Sequence, residues 1–262
     1  MRRALFLLLL LVAPTAVSAG TISLVLATRV VAGAAGLRVE LDLNNRGDEA
    51  ALNVVPMVEF QGRVGEAPAI AALQPSLPQT IVFDVPLTGG TMPQGVWPLL
   101  VRLRYTDAAG YPFEAVHVDL ARFGEGGESS RLRIDVPDAR VETETTIRVR
   151  VDRGDVDGPI RFGFATPTGV VVTPRVFTLE PGADTTVALT IATMGATLTS
   201  RLPLVTLAEY DTADRHHTVT AVSAVDIGPS PGGSRVMVIA ILVVAALTAW
   251  GAIAVVARRR RR

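Results

Sequence analysis

Asp152, Asp155 and Asp157 place three carboxylates within six residues, directly ahead of Gly158. A hard cation such as calcium takes several oxygens at about 2.4 Å, which one acidic loop can supply. The helix-loop-helix calcium register does not fit, because Arg153 stands where that pattern needs an acid and Phe164 fills its twelfth position. The three aspartates are candidate calcium ligands, set against the alternative of a solvated acidic loop. No other metal ligand and no cofactor is expected. Of the histidines, His117 falls on the polar side of the strand pattern Val116 to Leu120, while His216 and His217 are adjacent and face opposite ways when extended. Surface or rim positions are expected for them, and zinc binding is not.

Cysteine is absent, which removes thiolate nucleophiles, thiolate metal sites and disulfides together. No nucleophile elbow, glycine-rich phosphate loop or carboxylate pair in a recognisable setting occurs. Glu59 and Glu114 fall at outward strand positions, where solvated carboxylates are expected. No catalytic residue is nominated, and the chain is expected to be non-enzymatic. Trp97 and Tyr105 share the inward parity of Leu99, Val101 and Leu103 and are expected in a core, leaving Tyr111 as the displayed aromatic. Arg46-Gly47-Asp48 and Arg153-Gly154-Asp155 repeat a tripeptide known from adhesion, but glycine beside aspartate is also what a tight turn needs.

These residues sit on an alternating pattern. Leu37, Val39, Leu41 and Leu43 point one way while Arg38, Glu40 and Asp42 point the other, the signature of a strand with one buried face. Similar runs occur at Val54 to Phe60, Ile81 to Val85, Leu99 to Tyr105 and Val116 to Leu120, separated by turn signals such as Asp107-Ala108-Ala109-Gly110. A second series follows through Leu132 to Val136, Ile147 to Val151, Ile160 to Phe164, Val187 to Ile191, Leu202 to Tyr210 and Val219 to Ile227. The fold class is therefore all-β: two tandem immunoglobulin-like sandwiches, residues 20–123 and 131–228, joined by a linker at 124–130. Aligning Leu43 with Val151 superposes the two Arg-Gly-Asp turns to within one residue, as an internal repeat would.

The strand Leu37 to Leu43 running into Asn45-Arg46-Gly47-Asp48-Glu49-Ala50, with Gly95-Val96-Trp97-Pro98-Leu99 leading to Tyr105-Thr106-Asp107, resembles bacterial and archaeal immunoglobulin-like modules of the NEW3 and CARDB type. That resemblance implies a binding or spacer module in exported, often membrane-anchored proteins, with no shared catalytic site. Val172-Thr173-Pro174 and Leu179-Glu180-Pro181-Gly182 are similar to the N-terminal sandwich of pilus chaperones. Here, however, that turn lies in the second domain and an apolar span follows.

Both ends are apolar. Met1 to Arg3 are basic, Ala4 to Ala13 form an apolar run, and Val17-Ser18-Ala19 is small, as in a secretory signal peptide at 1–19 cleaved between Ala19 and Gly20. After a stalk at 229–235, residues 236–257 carry no charge and would rise about 33 Å as a helix, enough for a bilayer core of about 30 Å. Arg258, Arg259, Arg260, Arg261 and Arg262 close the chain at 258–262 and set a cytoplasmic C-terminus. Seven of the 25 basic residues lie in these ends, leaving 18 arginines against 25 acids between them, a sign that opposes nucleic-acid binding. The absence of lysine and the wealth of alanine, glycine, proline and arginine are associated with GC-rich bacteria. The expected place is a bacterial plasma (inner) membrane, crossed once with the N-terminus outside. The expected partners are the lipid bilayer and an envelope or membrane protein, a carbohydrate-binding surface module or a hydrolase being the alternatives.

Overall fold

The computed structural model describes residues 20–33, 36–87, 92–124, 130–182, 185–194 and 200–228. Residues Met1 to Ala19, most of the linker, the stalk, the apolar run and Arg258 to Arg262 lie outside them. No helix among the described residues is long and apolar enough to cross a membrane.

The described chain is all-β. Its strands are, in order, β1 (Leu24–Ala32), β2 (Gly36–Asn45), β3 (Ala51–Phe60), β4 (Arg63–Glu66), β5 (Ile70–Leu73), β6 (Gln79–Pro86), β7 (Gly95–Thr106) and β8 (Pro112–Phe123). Then come β9 (Arg133–Asp135), β10 (Ala139–Val141), β11 (Glu144–Asp152), β12 (Ile160–Ala165), β13 (Val170–Thr173), β14 (Val176–Leu179), β15 (Thr186–Thr193), β16 (Ser200–Asp211) and β17 (His216–Ile227). The strands that alternation marks are present. β4, β5, β10, β13 and β14 are additions, each only three or four residues long, too short for a period of two to register.

Apolar side chains gather in two separate cores. The first lies between the antiparallel sheet β1-β2-β6 and the strands β3, β7 and β8. Leu37, Val39, Leu41 and Leu43 of β2 face Leu99, Val101 and Leu103 of β7, all at 1% exposure or less. The second lies between the sheet β13-β15-β11-β9 and the strands β12, β16 and β17, around Ile160, Phe162, Leu189 and Leu204. β10 runs parallel to β17 along the edge of this group. β2 and β11 hold matching places, each flanked by two antiparallel partners and each running into an Arg-Gly-Asp turn. The Thr173–Pro174 peptide is cis and falls where the chain passes from β13 in one sheet to β14 in another.

The two halves are stitched into one continuous sheet where β17 meets β7, His216 lying opposite Gly95. Gly95 has φ = 133°, and a Cβ there would come within 2.0 Å of the His216 carbonyl oxygen. Only glycine lets the two backbones approach this closely.

Candidate functional site

The side chains that the structure singles out lie between the halves. β8 is apolar on both faces. Ala115 and Ala121 face the first core, while Val116 and Val118, with Leu100 of β7, meet Ala165 and Val205 of the second half in a small third cluster. The phase expected for β8 is therefore reversed. His117 shares the parity of Ala115 and Ala121, and Val116 points away from the first core because β12 and β16 of the second half cover it. β16 shows the same signature, Leu204, Val205 and Thr206 being buried consecutively.

Beside this cluster Glu114 is not a solvated carboxylate. Its side chain is 6% exposed and binds on both oxygens. Oε1 accepts from Arg102 at 3.2 Å, and Oε2 accepts from the Thr168 backbone N–H at 2.6 Å and the Thr168 hydroxyl at 2.7 Å. Arg102 also donates to the Thr166 carbonyl at 3.0 Å. A carboxylate and a guanidinium from the first half thus hold the loop between β12 and β13 of the second, with charge-assisted bonds that satisfy the buried groups.

At the other end of the junction His216 is buried, not at a rim. Its ring stacks on Trp97 with centroids 3.5 Å apart and planes 10° from parallel. Nδ1 lies 2.8 Å from Asp211 and Nε2 3.4 Å from Glu209, while the Thr218 hydroxyl donates to the Val96 carbonyl at 2.7 Å. Burial pulls the imidazole pKa down, but hydrogen bonds to Glu209 and Asp211, with their charges, outweigh it and leave it raised above 6.5. Trp97 keeps the inward parity expected of it and packs on the first core, yet one face of its ring is what His216 rests against.

Beside the Arg102–Glu114 bridge opens a cleft of about 470 Å³. Met57, Phe164 and Val171 give it apolar walls, and Arg102, Arg104, Arg175, Glu59 and Glu114 its charge. Arg102 and Glu114 neutralise each other. Arg104 touches the Met57 sulfur at 3.4 Å and has no carboxylate partner among the described residues, nor has Arg175.

The candidate calcium ligands are dispersed by comparison. Asp152 accepts from the Gly154 N–H, Asp155 lies 3.8 Å from Arg131, and Asp157 is exposed. Among the described residues no group of three or more acids and histidines is placed to hold a metal ion. Arg153 donates to the carbonyls of Gly158 and Leu179, which makes this loop a bonded turn. In the matching turn of the first half the Asn45 side chain accepts from Gly47, whose missing Cβ leaves room for the Thr21 carbonyl, and Asp48 accepts from the Thr21 N–H. Tyr111 is displayed, at 63% exposure. Gly20 begins the described chain, and Ala19 lies outside it. The cleft arginines carry no sequence signal because Arg102 and Arg104 sit at ordinary outward positions of β7 and Arg175 in the turn between β13 and β14. The double-sided burial of β8 and β16 was the available clue.

No family model matches this chain, and no curated relative matches it. Among solved structures it is similar to the Escherichia coli chaperone DraB, at 16% identity over 39% of this chain and a TM-score of 0.29. The match spans 56% of the DraB chain. A protein of unknown function from Porphyromonas gingivalis W83 is 14% identical over 79% of this chain and 99% of its own, with a TM-score of 0.35. The Staphylococcus aureus collagen adhesin is 9% identical over 80% of this chain and 96% of its own, with a TM-score of 0.21. At these scores none of the three bears on function.

Proposed function

We propose that this chain is a non-enzymatic, single-pass membrane protein that holds two immunoglobulin-like β-sandwiches, 20–123 and 131–228, outside a bacterial plasma membrane. There it binds or scaffolds another envelope or membrane protein. The binding role is supported above all by the cleft between the halves: the side chains around it are locked by cross-junction bonds, while Arg104 and Arg175 remain without a carboxylate partner among the described residues. The ionisable groups Glu114, Arg102 and His216 are bonded within the junction. The anchor is supported by the uncharged run 236–257 and the five arginines after it.

Protease added to intact spheroplasts should digest residues 20–228 of the tagged full-length protein, and in-cell crosslinking should yield a discrete adduct with a membrane or envelope protein. Digestion only after lysis overturns the orientation. Correct orientation without any adduct overturns the binding role.

A further inference from the structure

We infer that the cleft between the halves receives an extended segment of a partner protein that carries an acidic side chain among apolar ones. This rests on the binding role proposed above and adds what is bound.

Charge selects the acidic side chain. Of the three guanidiniums lining the cleft, Arg102 is neutralised by Glu114, whereas Arg104 and Arg175 have no carboxylate partner among the described residues. One acid, Glu59, faces them without an ion pair among the described residues, so the cleft keeps an excess of one positive charge. A guanidinium fork matches a carboxylate with two parallel hydrogen bonds. The apolar neighbours are selected by Met57, Phe164 and Val171, the last of which is 37% exposed.

Backbone geometry selects an extended chain over a free anion. β13 is the edge of its four-stranded sheet and forms one wall of the cleft. The Met194 N–H donates to the Gly169 carbonyl, and the register pairs Val171 with Ala192 and Thr173 with Thr190. In an antiparallel ladder bonded residues alternate, so Val171 and Thr173 bond inward and the N–H and C=O of Val172 turn to the open side. A peptide laid there adds a strand, with alternate side chains directed into the cleft. The volume of about 470 Å³ lies within the range of ligand pockets.

The test is selection of displayed heptapeptides on the full-length protein in detergent micelles. Selected peptides should be enriched in Asp or Glu flanked by apolar residues, and exchanging the acid for its amide should weaken binding about tenfold. Enrichment should vanish in Arg104→Gln/Arg175→Gln, return in part in Arg104→Lys/Arg175→Lys, and strengthen in Glu59→Gln. Both arginines are exposed, and circular dichroism checks that the variants fold. Three outcomes overturn the inference: no acidic enrichment, equal binding of acid and amide peptides, or unchanged selection by the double Gln variant. Binding of inorganic phosphate without peptide selection also overturns it, in favour of a free-anion site. A protein that crosslinks to a partner in cells but selects no acidic peptide loses this cleft assignment and keeps its binding role; selection without any in-cell adduct does the reverse.

Discussion

The first half has two outer sheet faces built on the same alternation, and they differ in what covers them. On β1-β2-β6 the outward residues include Arg29, Arg38, Glu40 and Asp84, whose ion pairs lie in water: Arg29 and Glu40 are 3.1 Å apart with side chains 77% and 32% exposed. On β7 and β8 the outward residues are Leu100, Val116 and Val118, beside an Arg102–Glu114 pair whose side chains are 22% and 6% exposed. Similar charges at a similar separation therefore mean different things. On the first face they are solubility. On the second they are a joint, because the neighbouring half excludes water and leaves each charge dependent on its partner.

If the second face is a joint, a charge placed in it should separate the halves. Val205 is 4% exposed and packs against Val116. Val205→Asp should destabilise the described region by more than about 3 kcal/mol, since an unpaired charge would be buried there. Denaturant unfolding followed in parallel by Trp97 fluorescence and far-ultraviolet circular dichroism checks this. Wild type should show one transition and the variant two, and a single unshifted transition would break the contrast between the faces. Glu114→Ala should follow in size, at about 1.5 to 3 kcal/mol, because it removes hydrogen bonds to a guanidinium and to Thr168. A double-mutant cycle with Arg102→Met should show coupling, and additive losses would mean that the pair carries nothing across the junction.

The same contrast explains how much could be read from the chain. Alternation is visible wherever one face meets a core and the other meets water, so β2, β11 and β15 were legible down to the individual inward residue. Alternation marks β8 but gives it the opposite phase, because Val116 and Val118 are apolar for the sake of a neighbour that the pattern does not mention. His216 is buried where the sequence predicts a surface or rim position, for a related reason. Its burial depends on Trp97, 119 residues earlier, approaching past a glycine that reads as an ordinary strand start. The cleft is illegible altogether, since Arg102 and Arg104 come from β7 and Arg175 from the turn between β13 and β14, and their excess over Glu59 and Glu114 shows only once the fold brings them together.

His216 sharpens the contrast through pH. Its pKa is raised in the folded protein, where Glu209 and Asp211 outweigh the opposing effect of burial, and returns to about 6.5 on unfolding. The folded state then binds the proton more tightly, so the contribution is complete below about pH 6.5 and is lost as pH rises through the raised value. The Tm difference between wild type and His216→Gln should be constant in mildly acidic buffer and shrink as the buffer becomes alkaline. A difference that grows with pH would mean that the stacked imidazole is neutral. The ring stacked on Trp97 would then not be a cation on an aromatic face.

The smallest effect is expected on the solvated face, and it is the control on everything claimed for the other. Arg38 lies 3.5 Å from Asp84 with side chains 54% and 80% exposed, so water competes for both charges and salt screens them. Arg38→Ala should change stability by less than about 1 kcal/mol, and that change should vanish in molar salt. Glu114→Ala should lose little of its effect in the same salt, because ions do not reach a carboxylate this enclosed. Equal salt sensitivity at the two sites would place both pairs in water. The junction would then be held by its apolar contacts and the His216 stack alone.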